Sequence, residues 1–184
     1  KFAPSTAQTV LRDIGINVGR TGVLTPYAAL EPVPVGGVTV SQATLHNEED
    51  IRRKDIRIGD TVIVQRAGDV IPQVVAPMTA LRTGEEREFH MPDLCPSCGT
   101  PVQRVPGEVA VRCPNEECPA RLVERLKHFV SRQAMDIEGV GEKLVERLFQ
   151  LGLVRDPADF YQLRYEDLRA LEGFQDRSTR RTLD

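Results

Sequence analysis

The sequence predicts a multidomain α+β protein, because its hydrophobic pattern changes twice along 184 residues. Short β-branched runs separated by glycine and proline occupy residues 1–78, which is typical of a small β-barrel. Four cysteines follow within residues 95–118, and from Leu122 onward apolar residues recur at helical spacing. We therefore predict a barrel over 1–78, a connector and cysteine module over 79–121, and an α-helical region over 122–184.

Composition and charge exclude several classes of protein. Hydrophobic residues make up 40% of the chain, enough for a core, and no apolar run approaches the roughly 18 residues of a membrane span. The net charge is -3, so nucleic-acid binding would depend on local cations and backbone N–H groups. No targeting signal or initiator Met begins the sequence, which favours a piece of a longer chain. We expect a cytoplasmic monomer without membrane contact.

The first module has the spacing of a closed barrel of about five strands. Two apolar runs, at residues 60–65 and 70–75, flank a turn-like Ala-Gly-Asp sequence. Closure would remove the exposed edges that such short strands leave. An SH3-like barrel would give the same pattern. Pro72 should lie at a strand start, an edge or a bulge, because proline has no N–H to donate to a neighbouring strand.

The cysteines are the most specific chemical signal in the sequence. They are spaced as two pairs, C-x2-C and C-x4-C, with 14 residues between the pairs. Two short loops of this kind can supply four soft ligands at the vertices of a tetrahedron. Two disulfides or an iron–sulfur cluster are the alternatives, and the lack of secretory features favours reduced thiols. We predict one structural Zn²⁺ ion, with no open position for a catalytic water, bound by Cys95, Cys98, Cys113 and Cys118.

A glycine-containing segment between helical runs predicts contact with a phosphate backbone. Residues 137–144 have the apolar-x-Gly-apolar-Gly pattern of a helix-hairpin-helix. Gly139 and Gly141 would permit close approach, N–H groups at the next helix start would bind phosphate, and Lys143 would add a cation. The alternative is an ordinary helix turn. A second copy at 173–178 is weaker, because glutamine replaces its second glycine.

Several local motifs in the barrel region carry a family resemblance. They are NVGRTG at residues 17–22, ATLHN at 43–47, DIRIGD at 55–60 and RAGDVIP at 66–72. Together with the cysteines, the segment 135–141 and the order of the modules, they resemble the C-terminal half of bacterial NAD-dependent DNA ligases. The resemblance covers essentially the whole chain and implies that the barrel is an OB-fold.

The resemblance also implies an activity for the parent protein. Ligases of this family seal nicks in duplex DNA during replication and repair, with NAD as adenylate donor and Mg²⁺ as a further cofactor. The lysine that they adenylate lies in a Lys-x-Asp-Gly motif, which is absent from this sequence. We therefore expect no catalytic residue here and no ligation by this chain alone. Its expected partners are nicked duplex DNA and the adenylation domain of the same parent chain.

Individual residue roles follow from the same resemblance. Residues 1–4 would end the adenylation domain, with Lys1 contacting the nucleotide phosphate; a solvated lysine is the alternative. Arginine suits DNA contact because its planar fork can bind two phosphate oxygens. The barrel residues implied in DNA contact are Arg20, Thr21 and Arg66, with Val70 and Ile71 as apolar neighbours close to the distorted duplex.

For other polar residues we expect ordinary surface or structural roles. We expect the basic run at residues 52–54 to be solvated surface, and His46, His90 and His128 to be structural. The chain ends inside the second glycine hairpin, whereas the family typically carries four, so DNA affinity should be reduced. Two competing functions remain at the sequence level: a non-catalytic zinc-containing DNA-binding adaptor of repair or recombination, and an interaction scaffold that does not bind DNA.

Overall fold

A computed structural model of the chain describes residues 5–66 and 71–171. The contacts divide the chain into two units: unit 1 comprises Lys1–Val18 and Val23–Pro114, and unit 2 comprises Gly19–Gly22 and Asn115–Asp184. Three predictions lie outside the described residues, namely those for Lys1, for Val70 and for the second glycine hairpin. Among the described residues, no helix has the length and apolar content required to span a bilayer.

Five strands of unit 1 close into a barrel. Their order around it is β1-β4-β5-β3-β2, and β2 pairs with β1 again. Every pairing within the barrel is antiparallel except that of β3 with β5, which meet in parallel at Thr44 and Gln73. The predicted closed barrel of about five strands is therefore confirmed. The strands are β1 (Ser5–Val18), β2 (Val23–Val35), β3 (Val38–Thr44), β4 (Thr61–Arg66) and β5 (Gln73–Pro77).

The first two strands are longer than the short runs that the sequence predicts. β1 continues through Gly15, which lies opposite Tyr27 on β2. A Cβ atom at Gly15 would stand 2.3 Å from Tyr27 Cζ, so the tyrosine ring occupies the space above the glycine. An aromatic ring covering a glycine in this way lets the strand continue where glycine would otherwise weaken it. Pro72 directly precedes β5, which agrees with its predicted place at a strand start.

Alternate side chains of the strands form the barrel core. From Leu24 to Leu30, every second residue of β2 is buried, which is the period of a strand with one face on a core. Helix α1 (Glu48–Arg53) adds Ile51, and the side chain of Asn47 caps this helix by accepting from Asp50 N. The fully buried members of the core include Leu11, Ala28, Val62, Val64 and Val74.

The cysteine-bearing segment extends the same sheet. A short hairpin of β6 (Gln103–Arg104) and β7 (Val111–Arg112) is joined to the barrel because β7 pairs with β2 at Val23 and Leu24. The preceding residues, expected to be a polar connector, lie against the barrel: Arg87 bridges to Ile58, and Met91 is buried. The connector is therefore part of unit 1 and adds to its core.

Unit 2 is helical. Its elements are α2 (Pro119–Val130), α3 (Glu142–Gln150), a 3₁₀ turn (Pro157–Gln162) and α4 (Tyr165–Arg169). Leu126 and Val130 of α2 pack with Val145 and Leu148 of α3, as the helical spacing predicts, whereas Leu151, just after α3, is half exposed. Burial lowers the pKa of Lys127, but ion pairs of 2.7 Å to Glu124 and to Glu146 outweigh this and raise it.

Candidate metal centre and nucleic-acid interface

The four cysteine sulfurs lie close enough together to hold one metal ion. All of their Sγ atoms are within 4.8 Å of one another, and Cys98 Sγ is 3.5 Å from Cys113 Sγ. Tetrahedral zinc with Zn–S bonds of about 2.3 Å requires sulfurs about 3.8 Å apart, so the cluster has the required size. None of these four cysteines forms a disulfide. The donor set therefore fits one structural Zn²⁺ ion.

Local backbone turns bring the ligands together. Gly99 N donates to Cys95 O at 2.9 Å with a φ of 69° at Gly99, a conformation that favours glycine. Cys95 N donates to Thr100 O at 2.8 Å, which closes the first loop. Cys118 is the N-cap residue of α2, so the start of this helix fixes the position of the fourth ligand.

Burial explains why these thiols need a cation. Cys95, Cys113 and Cys118 are buried, and burial raises the pKa of the Cys95 thiol. An uncompensated thiolate is therefore unfavourable at this position. A bound Zn²⁺ ion would supply the compensating charge and would join the two cysteine loops, which is a structural role because four protein ligands leave no open coordination position.

One carboxylate links the cysteine segment to the barrel. Glu48 Oε1 accepts from Met91 N at 2.9 Å, and Glu48 Oε2 accepts from Arg104 Nη1 at 2.8 Å. Burial raises the pKa of Glu48, but these two hydrogen bonds and the charge of Arg104 outweigh it and leave the pKa below its ordinary value. Glu48 therefore stabilises the junction as a carboxylate. No sequence pattern indicates this role, because the partners lie 43 and 56 residues away.

His46 occupies a tight turn at the end of β3. Asn47 N donates to Leu45 O at 2.8 Å while His46 has a φ of 61°, the signature of a classic γ-turn, which is rare and strained. The imidazole is exposed, and its Nε2 is 3.2 Å from Gln73 Oε1. Gln73 Nε2 in turn donates to Gln65 Oε1 at 3.2 Å. The expected structural histidine is thus bonded at the surface, to residues that sequence reasoning did not single out.

The barrel residues predicted to contact DNA fall into two groups. Arg66 and Ile71 belong to unit 1: Arg66 Nη1 lies 3.4 Å from Gly36 O, and Ile71 is 73% exposed. Arg20 and Thr21 are exposed in the turn after β1 and belong to unit 2. Arg20, Thr21 and Ile71 are exposed and Arg66 is partly exposed, as contact with DNA requires.

The basic run at residues 52–54 is partly neutralised by its own helix. Arg53 pairs with Asp50, and Lys54 Nζ lies 2.8 Å from Asp50 Oδ2 and 3.1 Å from Val74 O. The pKa of Asp50 is lowered first by its hydrogen bond with Lys54 and then by that with Arg53. Lys54 therefore anchors α1 to the barrel, whereas the guanidinium of Arg53 remains largely solvated.

The glycine-containing turn between α2 and α3 exposes a helix start. Val140 is buried in the core of unit 2, while Gly139 and Gly141 on either side of it are exposed. Gly139 has a φ of 84°, and Gly141 is the N-cap of α3 with no side-chain cap and open space around its Cβ position. The first N–H groups of a helix have no intrahelical acceptor, so they are available to an anion. Lys143 is exposed in this first turn.

These features define a class of protein: a small β-barrel that carries a four-cysteine zinc module and a helical unit with an exposed glycine turn. Sequence models of two domains match the chain in that order. The NAD-dependent DNA ligase OB-fold domain matches residues 8–86, and the NAD-dependent DNA ligase C4 zinc finger domain matches residues 95–120.

Curated relatives agree with the domain matches. A DNA ligase of Rubrobacter xylanophilus is 60% identical over 178 residues, 97% of this chain and 26% of the relative. DNA ligases of Pelotomaculum thermopropionicum and Desulfosudis oleivorans are 59% and 58% identical over 100% and 95% of the chain, and 27% and 26% of their own lengths. The chain belongs to the NAD-dependent DNA ligase family, and it spans about a quarter of the length of these relatives.

Proposed function

We propose that this chain is the DNA-binding portion of an NAD-dependent DNA ligase that seals nicks in duplex DNA during replication and repair. The observation that carries the proposal is the match of two consecutive ligase domains to a barrel followed by a four-sulfur cluster. A non-catalytic adaptor is not favoured, because relatives named DNA ligase match almost the whole chain.

The proposed domain organisation follows the change in hydrophobic pattern along the sequence. We assign residues 1–78 to the OB-fold, with 1–4 as the end of the adenylation domain, 79–121 to the connector and zinc finger, and 122–184 to a helix-hairpin-helix region. The parent enzyme uses NAD and Mg²⁺ and works in the cytoplasm as a monomer. Lys1 would contact the nucleotide phosphate once the adenylation domain of the same chain is present.

The proposed DNA contacts are of two physical kinds. The guanidinium groups of Arg20 and Arg66 would bind phosphate oxygens, and the exposed side chain of Ile71 would pack against sugars or bases near the nick. At the start of α3, backbone N–H groups and Lys143 would bind a phosphate of the intact backbone. Thr21 and Val70 are the other residues proposed to contact DNA, and Gly139 and Gly141 would allow the duplex to approach the turn.

The chemistry of sealing requires a nucleophile that this chain does not contain. The sequence has no Lys-x-Asp-Gly motif, so it cannot form the adenylated lysine of the family. The role proposed for the described residues is therefore to bind and orient the duplex and to hold it against the adenylation domain. Incubation with NAD, Mg²⁺ and nicked DNA should give no sealed product, and a sealed product would overturn this assignment.

DNA binding itself is tested by fluorescence anisotropy with a nicked duplex at roughly 50 and 200 mM salt, because phosphate contacts weaken as salt rises. Replacement of Arg66 by Ala should reduce the slope of log K against log salt by about one, the value for one lost phosphate contact. Arg87→Ala, at an exposed arginine of the connector, is the matched control and should leave the slope unchanged. Salt-independent binding, or no binding, would contradict the proposal.

A further inference from the structure

We propose that His46 is a positioning residue for Arg66 and Ile71, and that it acts through a hydrogen-bonded chain to Gln73 and Gln65. We refer to these three side chains as the surface ladder. The inference rests on the proposed function, because it takes contact of Arg66 and Ile71 with DNA as its starting point. His46 itself needs no contact with DNA for this role.

The ladder crosses three neighbouring strands. Gln65 on β4 lies directly opposite Gln73 on β5, and Gln73 is the parallel partner of Thr44 at the end of β3. His46 follows Thr44 by two residues, and its imidazole reaches back to Gln73. Hydrogen bonds between the side chains therefore continue the backbone ladder across the surface of the barrel at this point.

Gln73 is held at both ends of its amide group. Its Oε1 lies 3.2 Å from His46 Nε2, and its Nε2 donates to Gln65 Oε1 at 3.2 Å. The imidazole can take either the donor or the acceptor role in its hydrogen bond with Gln73, according to its tautomer.

The ladder lies at the two ends of the segment that would meet DNA. Arg66 directly follows Gln65, and Ile71 precedes Gln73 by two residues. Thr44 N also donates to Pro72 O at 2.8 Å, so the end of β3 bonds to the same stretch through its backbone. Fixing Gln65 and Gln73 relative to each other therefore fixes the directions in which Arg66 and Ile71 leave the barrel.

The backbone at His46 indicates that the residue type serves its side chain. With a φ of 61°, this position is one that few residue types adopt, and asparagine, aspartate and histidine adopt it more readily than other non-glycine residues. The imidazole is exposed and adds nothing to the core, so packing does not explain why histidine stands here. The hydrogen bond to Gln73 does explain it. Such pre-organisation would raise DNA affinity by reducing the ordering that the side chains of Arg66 and Ile71 undergo on binding.

The test compares two substitutions that differ in reach. Glutamine places an amide N–H the same number of bonds from Cβ as imidazole Nε2, so His46→Gln should preserve the bond to Gln73. Asparagine is one bond shorter but tolerates the left-handed backbone better, so His46→Asn should remove the bond without harming the fold. We expect about fivefold weaker binding of a nicked duplex for His46→Asn, the effect of one hydrogen bond, and less than twofold for His46→Gln.

Two further variants separate the ladder from its surroundings. Gln73→Leu should weaken binding at least as much as His46→Asn, because it removes both hydrogen bonds. Gln42→Leu makes the same change at an exposed position of β3 and should leave binding unchanged. Melting temperatures of all four variants, measured alongside, should remain close to that of the unsubstituted chain.

A second measurement tests the ladder without DNA. Backbone hydrogen exchange in peptides covering residues 64–74 should be faster in His46→Asn than in the unsubstituted chain and near normal in His46→Gln. Equal affinities and equal exchange for these two variants would overturn the inference while leaving the proposed function intact. Failure of the unsubstituted chain to bind nicked DNA would instead overturn both.

Discussion

Arg82 forms a bidentate ion pair with the buried carboxylate of Asp60, with Nε 2.7 Å from Oδ1 and Nη2 2.9 Å from Oδ2. The side chain of Asp60 is fully buried and that of Arg82 is 17% exposed. Asp60 Oδ2 also accepts from Arg57 N at 2.7 Å, and Arg82 Nη1 reaches Asp55 Oδ2 at 2.6 Å. This pair attaches the segment after β5 to the barrel, and hydrogen bonds with Asp60 and then Asp55 raise the pKa of Arg82.

Removal of the arginine should destabilise unit 1. Arg82→Met would leave the Asp60 carboxylate buried without a cation, and breaking a buried pair from one side lowers the free energy of unfolding by about 3 kcal/mol. Urea denaturation measures the change. The matched control is Arg12→Met, because Arg12 pairs with Glu31 on the surface, where the loss should be about 1 kcal/mol or less. Equal losses for the two variants would contradict a structural role for the buried pair.

Glu48 predicts a dependence of stability on pH. Its folded pKa lies below the ordinary 4.5, so its stabilisation is present above the unfolded pKa and is lost as pH falls through the folded pKa. Glu48→Gln should therefore be less stable than the unsubstituted chain near neutral pH by about 1 kcal/mol, with the difference shrinking below about pH 4. Glu49→Gln, at the exposed neighbour, should show no such difference. Denaturation at several pH values measures the stability of each variant. A difference between Glu48→Gln and the unsubstituted chain that does not change with pH would contradict the assignment.

The zinc site predicts a metal-dependent fold for residues 95–118. Native mass spectrometry should find one Zn²⁺ ion per chain, and Cys113→Ser should abolish it and increase hydrogen exchange across both cysteine loops. Ser97→Ala changes the first loop without removing a sulfur and should retain the ion. Retention of a full equivalent of zinc by Cys113→Ser would contradict four-sulfur coordination.

The features predicted well from sequence are those with local causes. A single turn at Gly99 brings the sulfurs of Cys95 and Cys98 close together. The buried faces of α2 and α3 follow from the spacing of their apolar residues. The closed barrel was also predictable, because closure pairs the backbone N–H and C=O groups that short strands would otherwise expose at the edges of the sheet. For the cysteine loop and the helices, the residues that fix the structure are close together in the sequence, whereas for the barrel only the strands themselves have a local signal.

The features that were missed depend on partners far along the chain. Gly15 interrupts no strand because Tyr27 covers it from the next one. Arg82 resembles any residue of a polar connector until folding brings it to Asp60, 22 residues earlier. His46 meets Gln73 across 27 residues. Composition and periodicity contain no information about such contacts, since they report what each segment prefers and not which segment it will meet.

A serine at Gly141 should separate stability from DNA binding. Serine is a good N-cap, and the Cβ position at Gly141 is open, so Gly141→Ser should raise the stability of unit 2 by roughly 0.3 kcal/mol. The new hydroxyl would accept from the same N–H groups that are proposed to bind a DNA phosphate.

We therefore expect Gly141→Ser to bind a nicked duplex about fivefold more weakly in spite of its higher melting temperature, the effect of one lost phosphate hydrogen bond. Gln150→Ser introduces the same residue at the exposed far end of α3 and should not change binding. Fluorescence anisotropy and thermal denaturation on the same samples measure both quantities. Unchanged affinity in a stabilised Gly141→Ser variant would exclude the start of α3 as a phosphate site, because a capped helix end has fewer N–H groups to offer an anion.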